Sequence, residues 1–223
     1  MVDAVAETSV NQLDLIAVKA GDLAAVSLTV VAGECLVIAG ASGSGKSRLL
    51  RRIADLDPCV DVETGGDPGF DTGQIMLAGV DLLSYSGAEW RRRVAYVAAE
   101  SQWWFDDVAS HFETLPESEQ MQSLGLEQHL LQQAVSRLSS GERHRLALLR
   151  VLMQQPQVLL LDEPTASLDP KATLAVEKMI ADYRKRYQAA VIWVSHDASQ
   201  ARRVGQRHFC IEHGQLIEQG RAS

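Results

Sequence analysis

A glycine-rich stretch in the first quarter of the chain has the residue types and spacing of a phosphate-binding loop. It matches the pattern GxxxxGK[ST] without a gap, over Gly40, Ala41, Ser42, Gly43, Ser44, Gly45, Lys46 and Ser47. Such glycines let backbone N–H groups turn towards an anion, and a helix that follows adds the positive end of its dipole. Lys46 is then placed to reach the outer phosphates of a nucleotide, and Ser47 to bind Mg²⁺. A chance glycine turn is a poor explanation for so many positions in register.

Two adjacent carboxylates follow an apolar run in the last third of the chain. Residues 158–161 are Val-Leu-Leu-Leu, and Asp162 and Glu163 come directly after them. Open parallel sheets bind ligands at the carboxyl ends of their strands, which is where this pattern puts both acids. Asp162 is the expected metal-side carboxylate, and Glu163 is the candidate general base or water-orienting group. Acids at a strand end are often only a solvated turn, but a phosphate-binding loop elsewhere in the sheet favours the functional interpretation.

A third motif has two interpretations. Ser139, Ser140, Gly141 and Glu142 form an S-x-x-E capping box ahead of a helix with periodic leucines. A capped helix N-terminus with a glycine at its mouth is also a surface that binds phosphate. Spacing alone does not decide between a structural cap and a binding surface.

The elements that position these motifs alternate in the manner of an α/β fold. Apolar runs predict strands over residues 26–30, 35–39, 74–83, 94–98, 158–162 and 191–195, and helices over residues 46–54 and 142–155, with a further helix capped by Asp169. Alternating strands and helices predict a mainly parallel sheet, while the signals before residue 35 predict an N-terminal antiparallel β subdomain. Residues 58–73 read as a surface loop, residues 100–135 as an inserted helical subdomain, and residues 209–220 as a hairpin.

Composition limits the class of protein. The chain has 223 residues, 46% of them hydrophobic, and a formal net charge of −8, which favours one globular domain and argues against a dedicated nucleic-acid binder. Its three cysteines lack metal-ligand spacing, so we expect neither a disulfide framework nor a zinc site, and a reducing compartment. The first residues do not read as a secretory signal, and no apolar run is long enough to span a bilayer.

Taken together, the motifs resemble the ATP-binding cassette (ABC) ATPases. Besides the phosphate-binding loop, residues 138–142 (LSSGE) resemble the family signature, residues 161–169 (LDEPTASLD) the acidic strand end with its following loop, and residues 194–197 (VSHD) the switch-histidine motif. Their order and spacing match over roughly residues 13–220. The resemblance implies a P-loop NTPase fold and a single ABC domain over residues 1–223, with the core over 1–98 and 139–223 and a helical subdomain over 99–138.

The resemblance also implies what each residue does. Two cassettes would pair head to tail, as a homodimer or with a different cassette, and sandwich ATP and Mg²⁺ between the phosphate-binding loop of one and the signature of the other. The implied catalytic residues are Glu163, His196 and Lys46, and the implied Mg²⁺ ligands are Ser47 and Asp162. The implied ATP contacts are residues 40–47 together with Arg48, Ser139, Ser140, Gly141, Glu142 and Asp169.

The sequence departs from the family pattern at three places. Ala99 stands where the family has a glutamine that links the catalytic core to the helical subdomain, so that either Glu100 or Gln102 replaces it from a shifted loop or the link is weakened. The family stacks adenine on an aromatic ring upstream of the phosphate-binding loop, but Phe70 is the first aromatic residue here, which leaves an aliphatic such as Val18 or a residue from elsewhere. Arg48 replaces the usual threonine.

Two functions follow from the resemblance. The first is an ATP-binding and hydrolysing subunit that energises a separate membrane permease, peripheral on the cytoplasmic, inner face of the membrane. The aromatic residues Trp103, Trp104 and Phe105 are then either core or a permease contact, with core slightly favoured. The alternative is a non-transport ATP switch that controls a protein partner, which Ala99 and the absent ring favour slightly. A GTPase or a kinase lacks the signature and is a poor third.

Overall fold

The computed structural model describes residues 11–57 and 73–220. The loop predicted over residues 58–73 therefore lies almost wholly outside the described residues. The strands there are β1 (Asn11–Val18), β2 (Val26–Val31), β3 (Cys35–Gly40), β4 (Gln74–Leu77), β5 (Val80–Asp81), β6 (Val94–Val97), β7 (Val158–Asp162), β8 (Ala190–Val194), β9 (Arg207–Glu212) and β10 (Gln215–Gln219). The α-helices are α1 (Lys46–Ile53), α2 (Gly87–Arg93), α3 (Ser118–Ser123), α4 (Ser140–Met153), α5 (Pro170–Tyr187) and α6 (Ala198–Val204).

These strands form two sheets. The first is antiparallel and has the order β2-β1-β4-β5. The second has the order β10-β9-β3-β8-β7-β6, and it is parallel except for the hairpin strand β10 at its edge. The predicted antiparallel β subdomain, parallel core and final hairpin are thereby confirmed.

The parallel sheet is buried on both faces because its central strands β3, β7 and β8 are apolar at nearly every position. Leu160 of β7 and Ile192 of β8 join a core with the antiparallel sheet and α1, whereas Leu161 and Trp193 join a second core with α4, α5 and α6. Side chains alternate between the faces of a strand, so continuous apolar runs supply both cores. The carboxyl ends of these strands therefore lie at the edge of a sheet whose two faces are both covered by apolar side chains.

The segment between β6 and α4 is helical only in short pieces. It contains the six-residue α3 and 3₁₀ turns at Ala109–His111, Gln128–Gln132 and Val135–Arg137. Met121 and Leu124 are fully buried and belong to the same core as Leu146 of α4. Packing against α4, rather than long helices, therefore holds this inserted segment.

Two predicted elements differ in their bounds. The strand predicted over residues 74–83 is the β4–β5 hairpin followed by a 3₁₀ turn, because Ala78 and Gly79 both have positive φ and reverse the chain. The helix predicted over residues 46–54 ends one residue earlier, at Ile53, and Asp55 then takes a left-handed conformation with φ 56°.

No α-helix within the described ranges is both long and apolar enough to cross a membrane.

Trp90 of α2 ties the end of α1 to the core, which gives a stability prediction. Its indole is fully buried and donates a 2.8 Å hydrogen bond to the carbonyl of Ile53. We expect Trp90→Phe to lower the free energy of unfolding by about 1–3 kcal/mol, since a buried carbonyl loses its donor. Denaturant unfolding measures this. Trp104→Phe, at a side chain that is 63% exposed, is the matched control and should change stability little. Equal effects of the two substitutions would contradict the prediction.

Candidate functional site

The loop between β3 and α1 has a backbone that only glycine accommodates. Gly40, Gly43 and Gly45 have φ values of 147°, 76° and 101°, all of them unfavourable for other residues. A Cβ on Gly40 would lie 2.9 Å from Ser44 Oγ and 3.1 Å from the carbonyl of Ile211. The predicted glycine pattern therefore produces the predicted tight loop.

Lys46 is folded into this loop. Its side chain is 5% exposed, and Nζ donates hydrogen bonds of 2.9 Å to the carbonyl of Gly40 and 2.8 Å to that of Ala41. Burial lowers the pKa of the ammonium, while the charges of Glu163 and Asp162 oppose that shift. The lysine is thus held at the loop with its charge facing the two acids.

The loop fits a phosphate group. No side chain caps the N-terminus of α1, where Gly45 stands, so the N–H groups of its first turn lack a side-chain acceptor. The hydroxyl of Ser44 is buried and has no hydrogen-bond partner among the described residues. Unpaired donors around a cation form an anion cradle, which is what a nucleotide phosphate requires.

Asp162 is the buried acid of the site. It is 5% exposed at the end of β7, and the phenol of Tyr96 on the neighbouring β6 donates a 2.9 Å hydrogen bond to its Oδ2. Burial, and then this hydrogen bond, raise the pKa of the Tyr96 phenol. The tyrosine therefore stays a donor and fixes the orientation of the carboxylate. The sequence indicated Asp162 but not its partner, which lies 66 residues away.

Glu163 and His196 form a pair at the ends of adjacent strands. His196 Nε2 lies 2.7 Å from Glu163 Oε1, and both side chains are partly exposed. Glu163 has φ 51°, a left-handed conformation that its N–H contact of 3.2 Å to the carbonyl of Val194 helps to hold. Strained backbone of this kind is found at functional sites. A carboxylate braced by an imidazole can orient a water molecule or accept its proton.

Gln200, at the start of α6, connects the two loops that carry this pair. Its side chain is 3% exposed and accepts a 2.8 Å hydrogen bond from Ser195 Oγ, next to His196. Its amide donates to Thr165 Oγ1 at 2.8 Å and to Glu177 Oε1 at 2.9 Å. No sequence pattern indicated Gln200, because a glutamine in an amphipathic helix is normally expected at the surface.

The capping box at residues 139–142 is confirmed. Ser139 Oγ accepts from the N–H of Glu142, and hydrogen bonds from Ser139 hold the pKa of the Glu142 carboxyl below its usual range. Ser139 and Ser140 remain exposed. Ser140 lines a cavity of about 380 Å³ together with Ala99, Glu100 and Ser167.

The other predicted site residues have separate surroundings. Asp169 caps α5 by accepting from the N–H of Ala172, as predicted, and is exposed. Arg48 lies on α1 beside Ser47, and both side chains are exposed. Val18 is fully buried, so the suggestion that adenine leans on it is wrong.

Of the three consecutive aromatic residues at 103–105, only the first contributes to the core. Trp104 and Phe105 are 63% and 51% exposed, while Trp103 is partly buried against the core around α4. His111 Nε2 accepts from the backbone N–H groups of Trp104 and Phe105, and Arg150 of α4 stacks on the Trp104 ring at 4.5 Å. The slightly favoured expectation that all three rings are buried is therefore wrong for two of them.

A parallel sheet with a glycine cradle, a buried lysine, two acids at the end of one strand and a histidine at the end of the next defines the P-loop nucleoside triphosphatase fold. Residues 23–166 match the protein family described as ABC transporter. The chain belongs to this family.

Named relatives agree with that assignment. The chain is 32% identical to the glycine betaine uptake system ATP-binding protein YehX of Escherichia coli, over 87% of this chain and 64% of the relative. It is 34% identical to the aliphatic sulfonates import ATP-binding protein SsuB 2 of Agrobacterium fabrum, over 87% of this chain and 72% of the relative. The chain thus spans less than two thirds of the length of the first relative.

Solved structures have the same fold. A dimeric ATP-binding cassette in a post-hydrolysis state with ADP and Pi superposes with a TM-score of 0.75 at 22% identity, over 95% of this chain and 99% of that chain. CbiO1 from Clostridium perfringens, part of the ABC transporter complex cbiONQ, superposes with a TM-score of 0.72 at 25% identity, over 94% and 88% of the two chains.

The Gln200 network predicts a selective loss of catalysis. We expect Gln200→Leu to lower kcat for ATP at least several-fold while KM changes little, because the loops that carry Glu163 and His196 lose their common partner. It should also lower stability by about 1–3 kcal/mol, since polar partners stay buried and unpaired. Steady-state kinetics and denaturant unfolding measure the two effects.

Tyr183→Phe is the matched control for this substitution. Tyr183 donates a buried 2.8 Å hydrogen bond to the carbonyl of Pro156, before the start of β7 and so at the opposite end of that strand from Asp162. It should lose comparable stability without a loss of kcat. An equal loss of kcat in both variants would mean that Gln200 acts only through global stability.

Proposed function

We propose that the chain binds and hydrolyses ATP to energise a separate membrane permease, through ATP-driven head-to-tail dimerisation. The observation that carries this proposal is the 2.7 Å contact between Glu163 and His196, beside a cradle that fits phosphate. The family assignment supports the same activity.

The proposed roles follow the positions of the side chains. Residues 40–47 would hold the triphosphate, with Lys46 leaving its loop carbonyls for the outer phosphates, and Arg48 would be a further contact to the nucleotide. Ser47 and Asp162 would hold Mg²⁺, which would neutralise charge that develops on the phosphates. Glu163 would orient the attacking water and accept its proton, and His196 would keep the carboxylate in place and donate towards the terminal phosphate.

The proposed dimer uses groups that the monomer leaves exposed. Ser139, Ser140 and Gly141 stand at the N-terminus of α4, whose dipole favours an anion, and Asp169 caps the neighbouring α5. In a head-to-tail pair these groups would face the phosphates bound by the partner cassette. The partner is a second copy or a related cassette.

The proposed membrane contact uses the exposed rings of Trp104 and Phe105. Large aromatic side chains held on a rigid base are good anchors for a partner protein. The chain would then lie on the cytoplasmic, inner face of the membrane, bound to its permease. The names of the relatives from Escherichia coli and Agrobacterium fabrum favour import as the direction of transport.

A non-transport ATP switch is the second candidate, and the residue at position 99 favours it. Ala99 is exposed at the cavity beside Ser140 and offers no side-chain hydrogen bond between the core and the inserted segment. Co-purification of the chain with an integral membrane protein encoded beside it would support the transporter, whereas a soluble partner alone would support the switch.

Replacement of the proposed base tests the hydrolytic role. We expect Glu163→Gln to lower the rate of MgATP hydrolysis by at least about 100-fold, because the amide accepts no proton. ATP binding should persist, so the variant should accumulate as an ATP-bound dimer in size-exclusion chromatography with light scattering. Glu119→Gln, at an exposed carboxylate of α3, is the control. Hydrolysis by Glu163→Gln at the wild-type rate would refute the role.

The hydrogen bond from Tyr96 predicts a change in metal affinity. We expect Tyr96→Phe to weaken the apparent affinity for Mg²⁺ by about 10-fold, because groups that orient a ligating carboxylate contribute on this scale. The Mg²⁺ dependence of ATP hydrolysis measures it, with Tyr187→Phe, at an exposed phenol, as the control. An unchanged Mg²⁺ dependence would show that Asp162 is oriented without the phenol.

A further inference from the structure

Arg48 is an exposed cation at the edge of the phosphate cradle. It follows Ser47 directly and is the third residue of α1. Within the described residues, no hydrogen bond or ion pair holds its guanidinium. An arginine with no partner at a ligand site is available to the ligand.

The side chain of Arg48 nevertheless has a defined place, against Gly21 in the turn between β1 and β2. A Cβ built on Gly21 would lie 2.5 Å from Arg48 Nη1 and 2.7 Å from both Cδ and Cζ. These three atoms lie in the plane of the guanidinium, so a point nearly equidistant from them lies over the plane and not at its edge. One face of the guanidinium therefore rests on the backbone of Gly21, and its other face is turned away from that turn. Gly21 has φ +60°, so its lack of a side chain serves both the turn and this contact.

The turn that carries Gly21 is part of the cradle. A Cβ on Gly45 would lie 3.0 Å from Leu23 Cγ, so Leu23 packs against the phosphate-binding loop. The N–H of Ala24 donates a 2.7 Å hydrogen bond to the carbonyl of Gly214, in the turn between β9 and β10. Arg48 therefore rests on a turn that packs against the phosphate-binding loop and is hydrogen-bonded to the turn between β9 and β10.

The strand order indicates which end of a bound nucleotide lies near Arg48. Glu163 and His196 follow β7 and β8, on one side of β3, and the terminal phosphate must face them for hydrolysis. Gly214 follows β9, on the other side of β3, and it holds the turn against which Arg48 rests. The nucleoside end of a bound nucleotide points away from the acids and so towards Arg48.

The aliphatic side chains nearest the turn between β1 and β2 are buried and do not offer a surface to a base. Val18, Ala20 and Leu23 are at most 6% exposed. The sequence contains no aromatic residue before Phe70. Two planar side chains among the described residues are exposed on that side, the guanidinium of Arg48 and the imidazole of His213 beside Gly214. Arg48 directly follows the phosphate-binding loop in sequence, and guanidinium groups stack well on aromatic rings.

We propose that Arg48 is the platform for the base of bound ATP, with its guanidinium stacked between the backbone of Gly21 and the purine ring. This inference rests on the proposed function and assigns a specificity-determining residue to its site. Stacking contacts the face of a base and not the edge groups by which adenine and guanine differ. The site should therefore discriminate weakly between these two bases.

Equilibrium binding of ADP and of inorganic pyrophosphate separates a base contact from a phosphate contact. Isothermal titration calorimetry of the wild-type chain and of Arg48→Lys gives both dissociation constants. The lysine keeps the charge and loses the plane. We expect Arg48→Lys to weaken ADP binding by about 5- to 30-fold, the range of a partly desolvated cation–π contact, and to change pyrophosphate binding less than twofold. GDP should bind wild type within a few-fold of ADP.

A second variant tests the same contact from the other side. Gly21→Ala places a methyl group where the guanidinium rests, so it should displace Arg48 and weaken ADP binding while pyrophosphate binding persists. Retained pyrophosphate binding shows that each variant is folded and its cradle intact.

The remaining outcomes overturn the proposal in distinguishable ways. Equal losses for ADP and pyrophosphate in Arg48→Lys would make Arg48 a phosphate ligand, and unchanged ADP binding would leave it without a role in base binding; in both cases the proposed ATPase function stands. Failure of the wild-type chain to bind either ligand would overturn the proposed function together with this inference.

Discussion

The register between β3, β8 and β7 is the constraint on which the site depends. Ile38 pairs with Val194, and Val194 pairs with Asp162, so the three strands reach their carboxyl ends at the same level. The ladder continues into the loops, with N–H contacts from Ser195 to the carbonyl of Ile38 and from Glu163 to that of Val194. The glycine cradle, the histidine and the two acids meet because the chain leaves three adjacent strands within two residues of each other. A slip of one residue would turn each side chain to the other face of the sheet.

The sheet behind the site, with its two apolar layers, stabilises this arrangement although the site's own groups oppose folding. Lys46 and Asp162 are almost fully removed from water, and Glu163 has a left-handed backbone. Burying charge and straining backbone both oppose folding. Both faces of the sheet are covered by apolar layers, so a shift that relaxed the site would break core packing on either side. The core packing therefore holds the side chains of the site in fixed positions before a ligand binds.

The sequence predicted the parts of the fold and the site that are set by local pattern. The phosphate-binding loop, the acids, both helix caps and the parallel core follow from contiguous residues. The unpredicted features are contacts between residues far apart in the chain, such as Tyr96 with Asp162, Gln200 with Thr165, and Arg48 with Gly21. Each depends on which strand or helix lies next to which, and one sequence does not give that pairing. The exposure of Trp104 was missed for the same reason, because its support by His111 and Arg150 is tertiary.

Helix α4 joins the two surfaces on which the proposed function depends. Its N-terminus presents the exposed Ser140, and Arg150, ten residues later, stacks on Trp104. At a rise of about 1.5 Å per residue, about 15 Å of continuous helix separates these two points. The helix packs into the core through Leu146 and Leu149, and its Arg150 contacts the exposed ring of Trp104. A displacement of the N-terminus of α4 on dimer closure would therefore be transmitted along the helix to the exposed rings without involving residue 99. An alanine at position 99, which lacks the side-chain amide of a glutamine, is for this reason a weak argument against coupling between ATP binding and a permease.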